Sequence, residues 1–141
     1  MHPKNVYALL AEPSGSVLLI KRRGSALWSL PGGLVRPTSL IEDLLVTYCQ
    51  RQVGIAPDFQ VKFQEIVFAG IPIKIGLAQV VKVRAGARGR IDAVSWANPV
   101  SPPYEMEPAA RMIVGLLANS ELVVPAPRVE MLETWTDHVA V

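Results

Sequence analysis

The sequence predicts an α/β fold in which a mixed sheet lies between two helices. Short runs rich in Val, Ile and Leu are separated by clusters of Gly and Pro, a pattern typical of β-strands. Two longer segments repeat apolar residues at the i, i+3, i+4 spacing of an amphipathic helix. The chain has 141 residues, the size of one domain, and contains no repeat or linker that would divide it. We therefore expect a single domain over residues 1–141.

Composition excludes several classes of protein. Half of the residues are hydrophobic and 18% are charged, which excludes a disordered chain. No apolar run has the length of a membrane span, and the first residues lack the basic start and apolar core of a signal peptide. A single cysteine cannot form an internal disulfide and indicates a reducing compartment, so we expect a cytoplasmic location. A net charge of +2, with no aromatic residues interleaved among the basic clusters, favours neither a nucleic acid nor a membrane as partner.

The first part of the chain predicts a β-hairpin that leads into a glycine turn. Residues 6–11 and 16–22 are apolar runs joined by a turn that contains Gly15. The second run ends in three basic residues, Lys21, Arg22 and Arg23. After a break at residues 24–25, the chain reaches Pro31-Gly32-Gly33, which favours a tight turn.

Residues 39–54 predict the first helix. Ser39 and Glu42 have the spacing of a capping box, in which each side chain binds a backbone N–H of the first turn. Gly54 suits a helix C-cap in the left-handed region. One apolar face is formed by Ile41, Leu44, Leu45, Tyr48 and Cys49. We expect Cys49 to be a small core residue rather than a nucleophile, because both histidines of the chain lie near its ends.

The second part of the chain predicts three strands, a helix and a tail. Residues 59–69 and 71–83 are β-rich runs on either side of Gly70, and residues 92–96 form a shorter one. Residues 105–119 repeat apolar residues at helical spacing, with Asn119 as the stop. We expect the apolar tail at 120–141 to pack on the body or on a second subunit, and the protein to be a homodimer.

The segment from Trp28 to Ile55 resembles the Nudix box, the signature of the MutT-like Nudix hydrolases. That signature is Gly, five residues, Glu, seven residues, Arg-Glu-apolar-any-Glu-Glu-any-Gly-apolar. Gly33, Gly54 and Ile55 match its glycine frame without an insertion, and the preceding Trp28-Ser29-Leu30-Pro31-Gly32 also matches the family. The resemblance implies an α/β/α sandwich. It also implies metal-dependent cleavage of nucleoside diphosphates linked to another group.

The acidic residues of that signature are missing from this sequence. Its first Glu position holds Ser39, its Arg-Glu pair is Thr47-Tyr48, and its Glu-Glu pair is Arg51-Gln52. Mg²⁺ and Mn²⁺ prefer carboxylate oxygens, and Arg51 would repel a divalent cation. We therefore expect no metal, no other cofactor and no catalytic residue in the box.

The same helix face predicts a site for an anion. Tyr48, Arg51 and Gln52 are i, i+3, i+4 neighbours, and Arg51 would bind phosphate in place of a metal while the other two donate hydrogen bonds. The family often places a basic residue near the phosphates at the end of the second strand, which adds Arg22 and Arg23. The predicted ligand-binding residues are Arg22, Arg23, Gly32, Gly33, Tyr48, Arg51 and Gln52. The simpler alternative is that Arg51 and the strand-end arginines are solvated surface residues.

Three functions remain open at this point. The first is a domain without hydrolase activity that binds a nucleotide, another phosphorylated ligand or a protein partner. The second is a divergent hydrolase that uses acids outside the box, for which Glu65, Glu105 and Glu107 are the candidates. The third is a structural dimer module. We expect Glu42 and Asp43 to point away from the Arg51 face, and Trp28 to be a core aromatic rather than a base-stacking one.

Overall fold

Six strands and two helices make up the part of the chain described by this computed structural model, residues 3–55, 61–80 and 86–125. In chain order they are β1 (Asn5–Ala11), β2 (Val17–Arg22), β3 (Gly32–Leu34), α1 (Ile41–Val53), β4 (Lys62–Phe68), β5 (Ile71–Gln79), β6 (Ile91–Ala97) and α2 (Pro108–Ala118).

The strands form one mixed sheet in the order β4-β5-β1-β2-β6, and β3 pairs with β1. β1 and β5 are parallel, whereas the other pairs are antiparallel. The predicted β1–β2 hairpin is confirmed, and the two strands predicted on either side of Gly70, β4 and β5, form a second antiparallel hairpin. The second turns at Ala69 and Gly70, whose φ angles of 51° and 77° give the left-handed pair that matches the twist of a hairpin.

The two faces of the sheet are covered by different layers. Val6, Ala8 and Leu10 of β1 pack with the apolar residues of α1, whereas Tyr7 and Leu9 pack with those of α2. This alternation follows from the two-residue period of a strand. The predicted fold, a mixed sheet between two helices, is therefore confirmed.

The predicted core face of α1 is confirmed, but the predicted capping box is wrong. Leu44, Leu45 and Cys49 are buried. The helix begins at Ile41, its N-cap is Leu40, and no side chain caps it. Ser39 precedes the N-cap position and lies in a turn, where its backbone N–H donates to the carbonyl of Arg36 at 3.1 Å. Its hydroxyl therefore does not occupy the position from which a cap is made.

The C-terminal end of α1 agrees with the sequence prediction. Gly54 has a φ of 73°, in the left-handed region, and its N–H donates to the carbonyl of Gln50 at 3.2 Å. Glycine adopts this conformation without the steric cost that a side chain would add.

Gly32 and Gly33 form a strand rather than the tight turn predicted from the sequence. Gly32 pairs with Tyr7 of β1, and its φ is 137°. A Cβ at this position would collide with the backbone carbonyl of Val6. Glycine is thus required here because the backbones of β3 and β1 approach too closely to leave room for a side chain.

The remaining elements differ from the predictions mainly at their ends. β5 ends at Gln79, and the predicted continuation to residue 83 lies largely outside the described residues, as do residues 59–60 of the run before β4. α2 begins at Pro108 rather than at residue 105, because Glu105 and Glu107 bond to Trp28 through their backbones. Asn119 is the predicted C-cap.

The beginning of the tail packs on the α2 side of the sheet. Leu122 is buried in that cluster, and Val124 is packed against it. Most of the predicted tail, residues 126–141, lies outside the described residues, so its packing on the body or on a second subunit stays a prediction. Neither described helix is long and apolar enough to cross a membrane.

Candidate functional site

A cleft of about 910 Å³ opens beside α1, the end of β2 and the start of β6. We call it the arginine cleft, since five of its nine lining residues are arginines. It is lined by Arg22, Arg23, Arg36, Tyr48, Arg51, Gln52, Gly89, Arg90 and Ile91. None of these described lining residues is acidic, so the cleft is strongly positive.

Strand pairing brings together arginines that are distant in sequence. Arg22 lies opposite Ile91 in the β2–β6 pair, and the backbone N–H of Arg23 donates to the carbonyl of Arg90 at 2.8 Å. The pairing has an irregularity between Lys21 and Arg22. The basic end of β2 is therefore fixed next to Arg90, which directly precedes β6.

Helix periodicity supplies the other wall. Tyr48, Arg51 and Gln52 lie at i, i+3, i+4 on α1, and all three line the cleft as the sequence predicts. Of the seven predicted ligand-binding residues, five thus lie around one cavity, because Arg22 and Arg23 line it too. Gly32 and Gly33 are not part of its lining.

The two glycines instead hold the side chains that line the cleft. The amide of Gln52 accepts a hydrogen bond from the Gly32 N–H at 2.9 Å and donates one to the Gly32 carbonyl at 2.8 Å. A Cβ at Gly33 would lie 2.8 Å from Cζ of Tyr48, so this glycine makes room for the aromatic ring. The Tyr48 hydroxyl donates to the carbonyl of Leu34 at 2.7 Å. The donors of Tyr48 and Gln52, predicted to bind an anion, instead bond to backbone carbonyls of β3.

Arg22 is also anchored. Its Nη2 donates to the carbonyls of Gly32 at 2.9 Å and Leu30 at 3.3 Å. Arg23 donates to the carbonyl of Gly89 at 3.4 Å and is exposed. Arg51 is exposed on the last turn of α1. The cleft therefore combines one fixed guanidinium with others at its solvent-facing rim.

Positive charge also lies at the C-terminal end of α1. The Arg88 guanidinium packs against Gly54, so closely that an added Cβ there would lie 2.7 Å from its Nε. The Arg88 backbone N–H donates to the carbonyl of Gln52 at 3.1 Å. The carbonyl end of a helix carries a partial negative charge that disfavours an anion. Arg51, which lines the cleft, and Arg88 beside Gly54 both offset that charge.

Arg36 and Arg90 were missed as site residues in the sequence analysis. Arg36 comes from the loop before α1, and Arg90 belongs to a basic cluster that the sequence presents as an ordinary loop. The sequence feature that could have indicated these two residues is the number of arginines near the predicted strand ends. Which of them converge depends on the long-range β2–β6 pairing, and that pairing is not visible in a local pattern.

The acids proposed as replacements for the box lie elsewhere. Glu65 is exposed on the edge strand β4, Glu105 is exposed, and Glu107 accepts a 2.7 Å hydrogen bond from the Ser29 hydroxyl. None of the three lines the arginine cleft. Within residues 3–55, 61–80 and 86–125, no three His, Cys, Asp or Glu side chains form a group that could hold a metal ion. The residues at the box positions do not fit a divalent cation, because they offer no carboxylate oxygen and include the positively charged Arg51.

Two other reactive groups are buried in the core. Cys49 is fully buried, which confirms its prediction as a core residue, and burial raises the pKa of its thiol to about 12. Burial also raises the pKa of the Tyr7 hydroxyl, and the negative charge of Glu107 adds to this shift. Neither group is poised to act as a nucleophile or base at neutral pH.

Comparison with known proteins identifies the fold. The amino-acid sequence matches no protein-family model and no curated protein. Among solved structures, a MutT Nudix hydrolase from Burkholderia pseudomallei is 20% identical, with a TM-score of 0.62 over 82% of this chain and 98% of that one. A protein assigned to the Nudix hydrolase family from Chromobacterium violaceum is 14% identical, with a TM-score of 0.69 over 96% of this chain and 90% of the other.

A third similar structure contains a ligand. It is the Nudix domain of Shewanella oneidensis NrtR complexed with ADP ribose, 15% identical, with a TM-score of 0.63 over 86% of this chain and 90% of that chain. These structures share the α/β/α architecture and strand arrangement inferred above. The chain therefore has the Nudix fold.

Proposed function

We propose that the arginine cleft binds the phosphate groups of a nucleotide or another phosphorylated small molecule without a metal ion. The observation that carries the proposal is that, among the described residues, five arginines and no carboxylate line one cavity. Guanidinium groups form paired, charge-assisted hydrogen bonds with phosphate oxygens. A cavity with this charge would repel a free divalent cation and attract an anion.

Each charge-assisted hydrogen bond contributes about 1.5–3 kcal/mol, so two or three arginines suffice for measurable binding of a diphosphate. Arg22 is held in place by two backbone carbonyls and therefore loses little side-chain entropy on binding. Arg51 is exposed and must be ordered by the ligand. We assign Tyr48 and Gln52 to holding β3 against α1, since their donors already have backbone partners.

The same residues argue against metal-dependent hydrolysis. That reaction needs a cation to neutralise the polyphosphate and to activate water. The box positions carry Ser39, Thr47, Tyr48, Arg51 and Gln52, and the candidate acids Glu65, Glu105 and Glu107 lie outside the cleft. We infer that the domain binds its ligand without cleaving it. The ADP ribose complex of the NrtR domain supports a nucleotide as a ligand class for this fold.

The proposal is tested by calorimetric titration of pyrophosphate and of ADP into the protein in EDTA. Wild type should bind both, and Arg51→Glu should reduce the affinity by at least tenfold, because it replaces an attraction with a repulsion. Lys62→Glu is the matched control. It makes the same change in net charge at an exposed residue of β4 that does not line the cleft, so its affinity should stay within about twofold of wild type.

Absence of binding by wild type would contradict the proposal. Equal affinity of Arg51→Glu and wild type would show that the anion binds elsewhere. Binding should weaken as salt is raised, since the arginines at the rim are screened by solvent ions. A requirement for Mg²⁺ would contradict the metal-free site directly.

We further propose that the protein is a homodimer. β4 is an edge strand of the sheet, and Val67 on it is 66% exposed. An exposed apolar edge strand is a surface on which two copies pair. Sedimentation should give a dimer at micromolar concentration, and Val67→Lys should shift it toward monomer. A monomer at high micromolar concentration would contradict this assembly.

A further inference from the structure

A second cavity of about 450 Å³ adjoins the arginine cleft, and its lining is mainly aliphatic. We call it the aliphatic groove. It lies between the start of the chain and the loop that joins β3 to α1. It is lined by Pro3, Lys4, Leu34, Val35, Arg36, Pro37, Ser39 and Ile41.

The groove and the arginine cleft share a wall. Arg36 lines both cavities. Tyr48 lines the cleft, and its hydroxyl donates to the carbonyl of Leu34, a residue that lines the groove. A ligand whose phosphates lie among the arginines therefore has the groove next to it, on the far side of Arg36.

The groove also exposes apolar surface at its margin. Leu34 is 68% exposed although it lies in a strand. A ligand that covers such a side chain removes apolar surface from water, which stabilises the complex by about 25 cal/mol per Å² of that surface. Among the residues that the structure describes, no aromatic side chain lines the groove. Its polar side chains, those of Lys4, Arg36 and Ser39, are mainly hydrogen-bond donors.

The side chains that line the groove favour some organic groups of a phosphorylated ligand over others. Nucleobases are commonly held by stacking on aromatic rings and by both donors and acceptors at the edges of the base. The described residues that line the groove offer neither an aromatic plane nor a carboxylate or amide acceptor side chain. Its aliphatic walls match a hydrocarbon group, and Arg36 lies on the side that the phosphates approach, since it lines both cavities.

We propose that the groove takes the alkyl group of an organic diphosphate whose phosphates lie in the arginine cleft. This inference rests on the proposed anion site and defines its ligand more narrowly. It favours an alkyl diphosphate over a nucleoside diphosphate. Binding involves no covalent step.

The experiment is a titration of pyrophosphate, methyl diphosphate, butyl diphosphate, hexyl diphosphate and ADP into the wild-type protein in EDTA. Affinity should rise along the alkyl series by up to about fourfold per buried methylene, and the hexyl compound should bind more tightly than ADP. Leu34→Ser should flatten this dependence on chain length. Leu40→Ser is the matched control, because Leu40 is similarly exposed, at 69% against 68%, but does not line the groove.

The outcomes separate this inference from the proposed function. Pyrophosphate binding with no dependence on chain length, or tighter binding of ADP than of hexyl diphosphate, overturns the groove inference and leaves the anion site intact. Binding of hexyl diphosphate that Leu34→Ser weakens and Arg51→Glu does not affect overturns the anion site and this inference with it, because the phosphates then lie outside the arginine cleft. Equal loss of chain-length dependence in Leu34→Ser and Leu40→Ser also overturns the groove. If no compound binds, both proposals fail.

Discussion

Gln52 and Gly32 are joined by a pair of hydrogen bonds in which the side-chain amide mimics a neighbouring strand. Its Oε1 accepts from the Gly32 N–H at 2.9 Å, and its Nε2 donates to the Gly32 carbonyl at 2.8 Å. Gly32 is buried, so its N–H has no access to water as an alternative partner. An amide satisfies both groups at once, which a carboxylate at this position could not do, because it has no donor.

This pair predicts the effect of Gln52→Met. Methionine keeps the length of the side chain but leaves the buried N–H of Gly32 without a partner, which costs roughly 1–3 kcal/mol. The carbonyl of Gly32 keeps its bond to Arg22. We expect the free energy of unfolding, measured by denaturant titration, to fall by that amount.

Gln50→Met is the control for this prediction. Gln50 is exposed on the same helix, so the substitution should change stability by less than about 0.5 kcal/mol. Equal stabilities for the two variants would show that the Gln52–Gly32 pair contributes nothing to the folded state.

The uncapped start of α1 gives a second prediction. Leu40 occupies the N-cap with φ −68° and ψ 134°, the extended backbone that a capping residue adopts, but it has no side-chain acceptor. Leu40→Ser should therefore stabilise the protein by about 1 kcal/mol. Thermal unfolding measures the gain as a rise in Tm. Leu34→Ser makes the same chemical change at matched exposure away from a helix start and should give no gain; a comparable rise in both variants would contradict the capping explanation.

Cys49 gives a prediction that depends on pH. Burial raises the pKa of its thiol to about 12 from an ordinary value of 9.0. Between pH 9 and 12 the unfolded thiol loses its proton while the folded one keeps it, so this group makes stability fall as pH rises. Below pH 9 it is protonated in both states and contributes no slope.

Cys49→Ala removes the thiol and with it this part of the loss of stability at alkaline pH. The difference in the free energy of unfolding between wild type and variant should therefore shrink as pH rises above 9. At pH 8 the native thiol should react with iodoacetamide only as fast as the protein unfolds, and denaturant should accelerate the reaction. Rapid alkylation of the native protein would show that Cys49 is not buried in solution.

The sequence predicted those parts of the fold that depend on local periodicity and glycine chemistry. The buried face of α1, its stop at Gly54, the first hairpin and the two strands around Gly70 all have local patterns, and all are confirmed. The capping box failed for a local reason too. Ser39 and Glu42 have the spacing of a capping box. However, the turn in which the Ser39 N–H donates to the Arg36 carbonyl places Ser39 one residue before the N-cap, Leu40.

The candidate site was predicted only in part, because it depends on long-range pairing. The i, i+3, i+4 rule placed Tyr48, Arg51 and Gln52 on one face without reference to the rest of the chain. Arg90 joins them through the pairing of β2 with β6, two strands separated by most of the domain. The backbone partners of Tyr48 and Gln52 depend on the close approach of β3 to β1, which the sequence presents as a glycine turn.

The last prediction is that the protein shows no metal-dependent hydrolysis. Incubated with Mg²⁺ or Mn²⁺, it should release no product above background from nucleoside triphosphates, dinucleoside polyphosphates, ADP-ribose or sugar nucleotides. The reason is that Mg²⁺ and Mn²⁺ prefer carboxylate ligands, and the described residues that line the cleft include arginines and no carboxylate. Product release is measured by chromatography over a range of protein concentrations.

A control must separate weak intrinsic activity from a contaminating enzyme. The acids that an alternative hydrolase would use are Glu65, Glu105 and Glu107, so the Gln variant of each is assayed beside the wild type. Turnover that is equal in wild type and all three variants, and that separates from the protein on a second column, belongs to a contaminant. Metal-dependent turnover that one of these substitutions abolishes, in a variant that still unfolds at the wild-type temperature, would overturn the proposal. Because Glu107 already accepts a hydrogen bond from Ser29, its variant is the one that most needs the stability measurement beside it.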